Sequence, residues 1–157
     1  MSAQFFYRDP DAPRPNRPLH LGVVALIEHE GALLMELRSD SHYWALIGGG
    51  VEMGESAVDA VRREVWEETG LEAREVRLFG VFSDPFRIAS YPDGNVIRVV
   101  TIAYHVSVAG ALGMRPSRES REVRFQPLAA LVSLDVAPTH RHILEHYLGD
   151  KTSVVCE

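Results

Sequence analysis

Glu64, Glu67 and Glu68 stand close together in the stretch GGGVEMGESAVDAVRREVWEETGL, residues 48–71. On a helix these three carboxylates project within roughly a 100° arc. Like charges one helical turn apart repel by about a few tenths of a kcal/mol per pair, so a purely structural helix gains nothing from the set. A cation would offset the repulsion. Mg²⁺ takes oxygen ligands and bridges protein carboxylates to substrate phosphates, which points this grouping toward phosphoryl chemistry. Gly48 to Gly50, immediately upstream, carry no Cβ and would let a main-chain carbonyl reach the same ion. The plainer alternative is a solvated acidic face paired with Arg62 and Arg63. Against it stands the order of the residues: glycines, then Glu52 and Glu55, then Arg63-Glu64 and Glu67-Glu68, then Gly70.

These residues need a frame. Ser56 to Thr69 lacks Gly and Pro and reads as a helix, with Val58, Val61 and Val65 as its apolar stripe and Gly70 as its stop. Upstream, LHLGVVALIEHEGALLMELR contains two β-rich runs split by Glu30-Gly31, a hairpin feeding a sheet. Tyr43, Trp44, Leu46 and Ile47 form a short apolar run, and the glycines that end it are expected to form an irregular loop. Beyond the helix, EVRLFGVFS and NVIRVVTIAYHVSV read as strands joined through Asp84-Pro85 and the turn Tyr91-Pro92-Asp93-Gly94. EVRFQ reads as a last strand. APTHRHILEHYL pairs Ile143 with Tyr147 and Leu144 with Leu148, the pattern of a closing amphipathic helix. The order implies a mixed α/β (α+β) sandwich. The expected division is a Pro-rich extension over 1–18, one domain over 19–150 and a tail over 151–157.

With 157 residues, 46% of them hydrophobic, the chain suits a single globule with a sizeable core. A formal charge of −6 disfavours a role coating nucleic acid or an anionic membrane, so no nucleic-acid or membrane partner is expected. A polyanionic substrate would need local help. The lone Cys156 cannot form an intrachain disulfide, and no signal-peptide core or membrane-length apolar run is visible, so a cytoplasmic location is the expectation. The Pro-rich extension offers a surface for a homodimer, which composition leaves open.

Gly49, five residues, Glu55, seven residues, then Arg63-Glu64-Val65-Trp66-Glu67-Glu68-Thr69-Gly70-Leu71 resembles the Nudix hydrolase motif at every fixed place. The similarity extends upstream through Trp44-Ala45-Leu46-Ile47-Gly48-Gly49, with Ile47 where that family often has proline. The resemblance implies the Nudix-type α/β/α sandwich with a mixed β-sheet. It also implies hydrolysis of a small-molecule nucleotide, a nucleoside diphosphate linked to a group X, with Mg²⁺ or Mn²⁺ as cofactor. By the same resemblance Glu64, Glu67 and Glu68 are metal ligands and Gly49 adds its carbonyl. Arg63 orients the glutamates by salt bridges, and Glu55 supports the cluster beside a second metal. The general base that activates water is either Glu64 or a carboxylate of SRESREVRF, Glu119 or Glu122, with Glu119 the preferred one.

His142 and His146 have zinc-like spacing, but no HExxH pattern accompanies them and no third ligand is evident. Neither a P-loop ending nor a dinucleotide-binding glycine pattern is present, and no serine-hydrolase setting surrounds Ser83 or Asp84. Tyr43, Phe82, Phe86, Tyr91 and Arg98 could stack on or pair with a nucleotide; Tyr43, Phe86 and Arg98 are the substrate-binding candidates, with core or surface roles as the alternative. Nudix members that hydrolyse ADP-ribose often carry a proline near the place of Pro85, 14 residues beyond Leu71, so the resemblance leans the substrate toward ADP-ribose or another nucleotide sugar. The rivals are cleavage of (d)NTPs, oxidised ones included, and a non-catalytic nucleotide sensor.

Overall fold

The computed structural model describes residues 1–110 and 113–157. Five strands lead in: β1 (Gln4–Tyr7), β2 (His20–Leu26), β3 (Glu28–His29), β4 (Ala32–Arg38) and β5 (Trp44–Gly50). Helix α1 (Ala57–Thr69) follows, then β6 (Ala73–Phe82), β7 (Arg87–Ser90), β8 (Val96–Val108) and β9 (Ser120–Pro127). Helix α2 (Pro138–Gly149) and the short β10 (Val155–Cys156) close the chain. The strands join in the order β1-β7-β8-β2-β5-β4-β3, with β6 on β8, β10 on β6 and β9 on β4. β2 runs parallel to β8 and β10 parallel to β6, while the other pairs are antiparallel, so the sheet is mixed.

Alternation along the central strands builds a core on each face. Val24, Leu26, Leu33, Met35 and Leu46 face one side, where α2 adds Ile143, Leu144 and Tyr147. Val23, Ala25, Leu34 and Ile47 face the other, where α1 adds Ala60, Val61 and Val65. A helix on each face of one mixed sheet makes the α/β/α sandwich expected. Both sides of β2, β4 and β5 are buried, which is why those strands read as continuous apolar runs.

Several local expectations change. Gly48 to Gly50 are not a loop but the end of β5, paired with Val24, Val23 and Gly22 of β2. A Cβ on Gly48 would sit 2.0 Å from the Val23 carbonyl oxygen, so the missing side chain is what lets the strands meet. On α1 the inward stripe is Ala60, Val61, Glu64, Val65 and Glu68, whereas Val58 is 38% exposed. The first eighteen residues lie on the domain: β1 pairs with β7, and Asn16 exchanges two hydrogen bonds with Val96. Residues 1–18 therefore add an edge strand to the sheet. Among the described residues, no helix is long and apolar enough to cross a membrane.

Helix α1 is fixed at both ends. Ser56 accepts from the Asp59 N–H at 3.1 Å while Asp59 accepts from the Ser56 N–H, a capping box, and Gly70 ends the helix at a left-handed φ of 71°. Ser56→Ala is expected to lower stability by about 1 kcal/mol, seen as a lower urea midpoint at unchanged slope. An unchanged midpoint would show that the cap contributes nothing.

Candidate active site

The glycine end of β5 and the inner face of α1 meet at the acidic cluster. A Cβ on Gly49 would lie 2.4 Å from a Glu64 carboxylate oxygen, so α1 can bring Glu64 against the strand only over a glycine. Glu68, one turn on, accepts from the Gly48 N–H at 3.4 Å. Glu64 is 9% exposed and Glu68 4%, whereas the Glu67 side chain is 54% exposed at the rim.

Arg63 organises one side of the cluster. Its guanidinium donates to both Glu55 oxygens at 3.0 and 2.7 Å, to Glu64 at 2.8 Å, to Glu67 at 3.1 Å and to the Gly50 carbonyl at 2.9 Å. Such a charge-assisted fan orients each acceptor as well as attracting it. The hydrogen bonds from Arg63 hold the Glu55 carboxyl down to about 2, and the surrounding carboxylates raise the arginine in turn. Glu64 is shifted up by burial, with Arg63 opposing that shift.

The other side has no such compensation. Glu68 is pushed well up by burial first and then by the charges of Glu36 and Glu64. Glu36 is 2% exposed, receives the Ser120 hydroxyl, and is likewise raised by burial. Among the described residues, neither Glu36 nor Glu68 has an ion-pair partner. Two buried carboxylates without a counter-charge are costly unless something positive joins them. All the donors here are oxygens, which suits a hard divalent cation.

A cavity of about 530 Å³ opens over the cluster, lined by Gly49, Arg63, Glu64, Glu67, Glu68 and Glu119 among others. Glu119 comes from the turn before β9, held by its N–H on Ser117 and by the Ser39 N–H on its carbonyl. A second hollow of about 170 Å³ shares His20, Gly49, Gly50, Glu68 and Glu119, and adds Phe5, Arg38, Tyr91, Thr101 and His140. Arg38 is braced by Asp40 at 2.7 and 2.5 Å. His140 accepts the Leu46 N–H on Nδ1 at 3.0 Å, which leaves Nε2 as its N–H donor. Burial lowers it to about 3, so the ring stays neutral.

The structure thus brings Gly49, Glu55, Arg63, Glu64, Glu67, Glu68 and Glu119 together. It does not bring Tyr43, Phe86 or Arg98 into either hollow. Tyr43 packs edge-on against Phe5, Phe86 is 59% exposed beyond the Asp84 turn, and Arg98 donates to the Ser83 carbonyl at 2.9 Å. Tyr43 lies just before β5 and Phe86 just before β7, while Arg98 belongs to β8. Glu36, Arg38, His20 and His140 line or adjoin the site without having been singled out. For Glu36 the signal was available: alternation places it on the same face as the buried Leu34, an unusual place for an acid.

Comparison with known proteins agrees with this geometry. The family model described as NUDIX domain matches residues 17–147. An ADP-ribose pyrophosphatase from Methanocaldococcus jannaschii is 34% identical over 131 residues, covering 82% of this chain and 72% of that protein. A nucleoside triphosphatase NudI from Enterobacter sp. is 39% identical over 87 residues, covering 51% of this chain and only 61% of its relative. Among solved structures, a MutT protein from Bacillus halodurans superposes with a TM-score of 0.69 at 23% identity, covering 85% of this chain and 84% of that one.

The raised carboxylates carry a prediction for the metal-free protein. Glu68 binds its proton more tightly folded than unfolded, so its contribution to stability is lost as pH rises above the ordinary carboxylate range. In EDTA, Glu68→Gln is expected to gain in Tm over wild type as pH rises from about 5 to about 9. A difference that stays constant with pH would contradict the burial of this charge.

Proposed function

This chain belongs to the Nudix hydrolase family, and we propose that it is a divalent-metal-dependent pyrophosphohydrolase whose substrate is ADP-ribose or a close nucleotide sugar. The observation that carries the metal dependence is the burial of Glu64 and Glu68 against the glycine end of β5, with Glu68 left without an ion-pair partner among the described residues. Glu64, Glu67 and Glu68, with the Gly49 carbonyl, would hold Mg²⁺ or Mn²⁺. When bound, the ion supplies positive charge to the diphosphate and makes a water more acidic.

The remaining roles fall to the chain itself. Arg63 keeps Glu64 and Glu67 in place through bonds of 2.8 and 3.1 Å, and Glu55 anchors Arg63 from behind. Glu119 is the proposed general base that takes the proton of the attacking water. It lines both hollows, whereas Glu64 is already committed to Arg63. As the water oxygen bonds to phosphorus, the bond to the departing phosphate oxygen breaks and the proton passes to Glu119. The second hollow suits the nucleoside end: Tyr91 and Phe5 offer aromatic surface, His140 a neutral N–H donor and Arg38 a fixed positive charge.

The M. jannaschii relative supports the ADP-ribose reading by its name. A nucleoside triphosphate is the second reading, favoured by the higher identity to the NudI relative over a shorter stretch. A substrate panel separates them. ADP-ribose with Mg²⁺ is expected to give AMP and ribose 5-phosphate faster than any triphosphate is cleaved, and EDTA is expected to stop the reaction. Fastest turnover of a triphosphate would shift the substrate and keep the chemistry. Glu68→Gln should lose about 10³-fold in turnover, equivalent to about 4 kcal/mol of barrier, with an unchanged circular-dichroism spectrum. Near wild-type rates in that variant would defeat the metal assignment.

A further inference from the structure

His142 and His146 lie on successive turns of α2, on the opposite face of the sheet from α1. Folding supplies the third donor that their spacing alone lacks. After β10 pairs with β6, the Glu157 N–H donates to the Val81 carbonyl and the Ser83 N–H donates to the Glu157 carbonyl, both at 3.2 Å. The Glu157 backbone is thereby tied on both sides. Its carboxylate lies 2.8 Å from His142 Nε2 and 3.8 Å from His146 Nε2, and one donor atom from each residue falls within 4.8 Å of the others. Zn²⁺ bound tetrahedrally at about 2.1 Å spaces its donors roughly 3.4 Å apart, inside that range.

The rings are oriented by packing. Tyr7 stacks on His142 at a centroid distance of 4.3 Å and an angle of 21°, with its hydroxyl 3.2 Å from Nε2. Phe82 meets the two histidines edge-on at 6.0 and 5.7 Å. Beside them a cavity of about 440 Å³, bordered also by Glu145 and Asp150, leaves room for water to complete a coordination shell. Two imidazoles and one carboxylate suit zinc and its transition-metal neighbours, while Mg²⁺ prefers oxygen. Arg87, whose guanidinium lies 5.9 Å from the Phe82 ring, is a nearby positive charge that opposes a bound cation.

We propose that His142, His146 and Glu157 form a second metal site, for a divalent transition ion of zinc's class, which fastens the β10 segment to α2. The ion takes the place of the direct contact between His142 and Glu157. Because it binds the folded arrangement, it also raises the stability of the whole chain.

The test titrates full-length protein with Zn²⁺ by calorimetry, with excess Mg²⁺ present to occupy the carboxylate cluster. One Zn²⁺ per chain at micromolar affinity is expected, with a rise in Tm. His142→Ala/His146→Ala is expected to weaken that binding by at least about tenfold and to leave Mg²⁺-supported turnover unchanged. Glu157→Gln, which keeps the side-chain volume, guards against a double variant that fails to fold. Cu²⁺ as a probe should show electron-spin coupling to two nitrogens, lost in the double variant. No Zn²⁺ bound beyond the Mg²⁺-protected background, or equal binding by wild type and Glu157→Gln, would overturn the site and leave the three residues as an ion pair.

Discussion

Close approach of a helix to a strand, over glycines, is the constraint on which the rest depends. Glu64 can reach β5 only because Gly49 has no side chain, and β2 can reach it only because Gly48 has none. The same approach buries Glu64 and Glu68 where water solvates their charges poorly. Apolar packing of Ala60, Val61 and Val65 holds α1 in that position, and the capping box and the left-handed Gly70 fix its ends. Folding energy from the valines is thus used to keep carboxylates in a place they would otherwise avoid. This separation of anchoring and strained groups is a familiar signature of functional sites.

Compensation in the cluster is deliberately one-sided. Arg63 satisfies Glu55, Glu64 and Glu67 on the solvent side, so their positions are set before any ligand arrives. Glu68 and Glu36, deeper, have no ion-pair partner among the described residues, and the charge of Glu36 helps to raise Glu68. The adjoining hollow draws on β1, β4, β7, the β7–β8 turn and α2 through Phe5, Arg38, Ala89, Tyr91 and His140. Residues far apart in sequence therefore surround one small volume beside the acidic cluster.

The acidic cluster was legible in the sequence because its residues are local. Gly49, Glu55, Arg63 and the three helix glutamates lie within one stretch whose helical geometry fixes their mutual placement. The two main helices and the long strands were readable for the same reason, from periodicity. What was not readable depended on tertiary pairing. Gly48 to Gly50 look too flexible for a strand until β2 is placed against them, and β1 has no partner until β7 is known. Tyr43, Phe86 and Arg98 were chosen by residue type, but tertiary placement leaves them outside both hollows, while His140 enters from a distant helix. Glu157 likewise joins His142 and His146 only through the pairing of β10 with β6.

The most direct measurement is anomalous diffraction at the manganese edge from crystals soaked in Mn²⁺ and a non-hydrolysable ADP-ribose analogue. The expected result is a strongest peak enclosed by Glu64, Glu67, Glu68 and the Gly49 carbonyl, with the adenosine in the hollow bordered by Tyr91 and His140. A strongest peak away from these carboxylates, or none at all beside an ordered analogue, would contradict the claim that the buried acids are held apart for a metal.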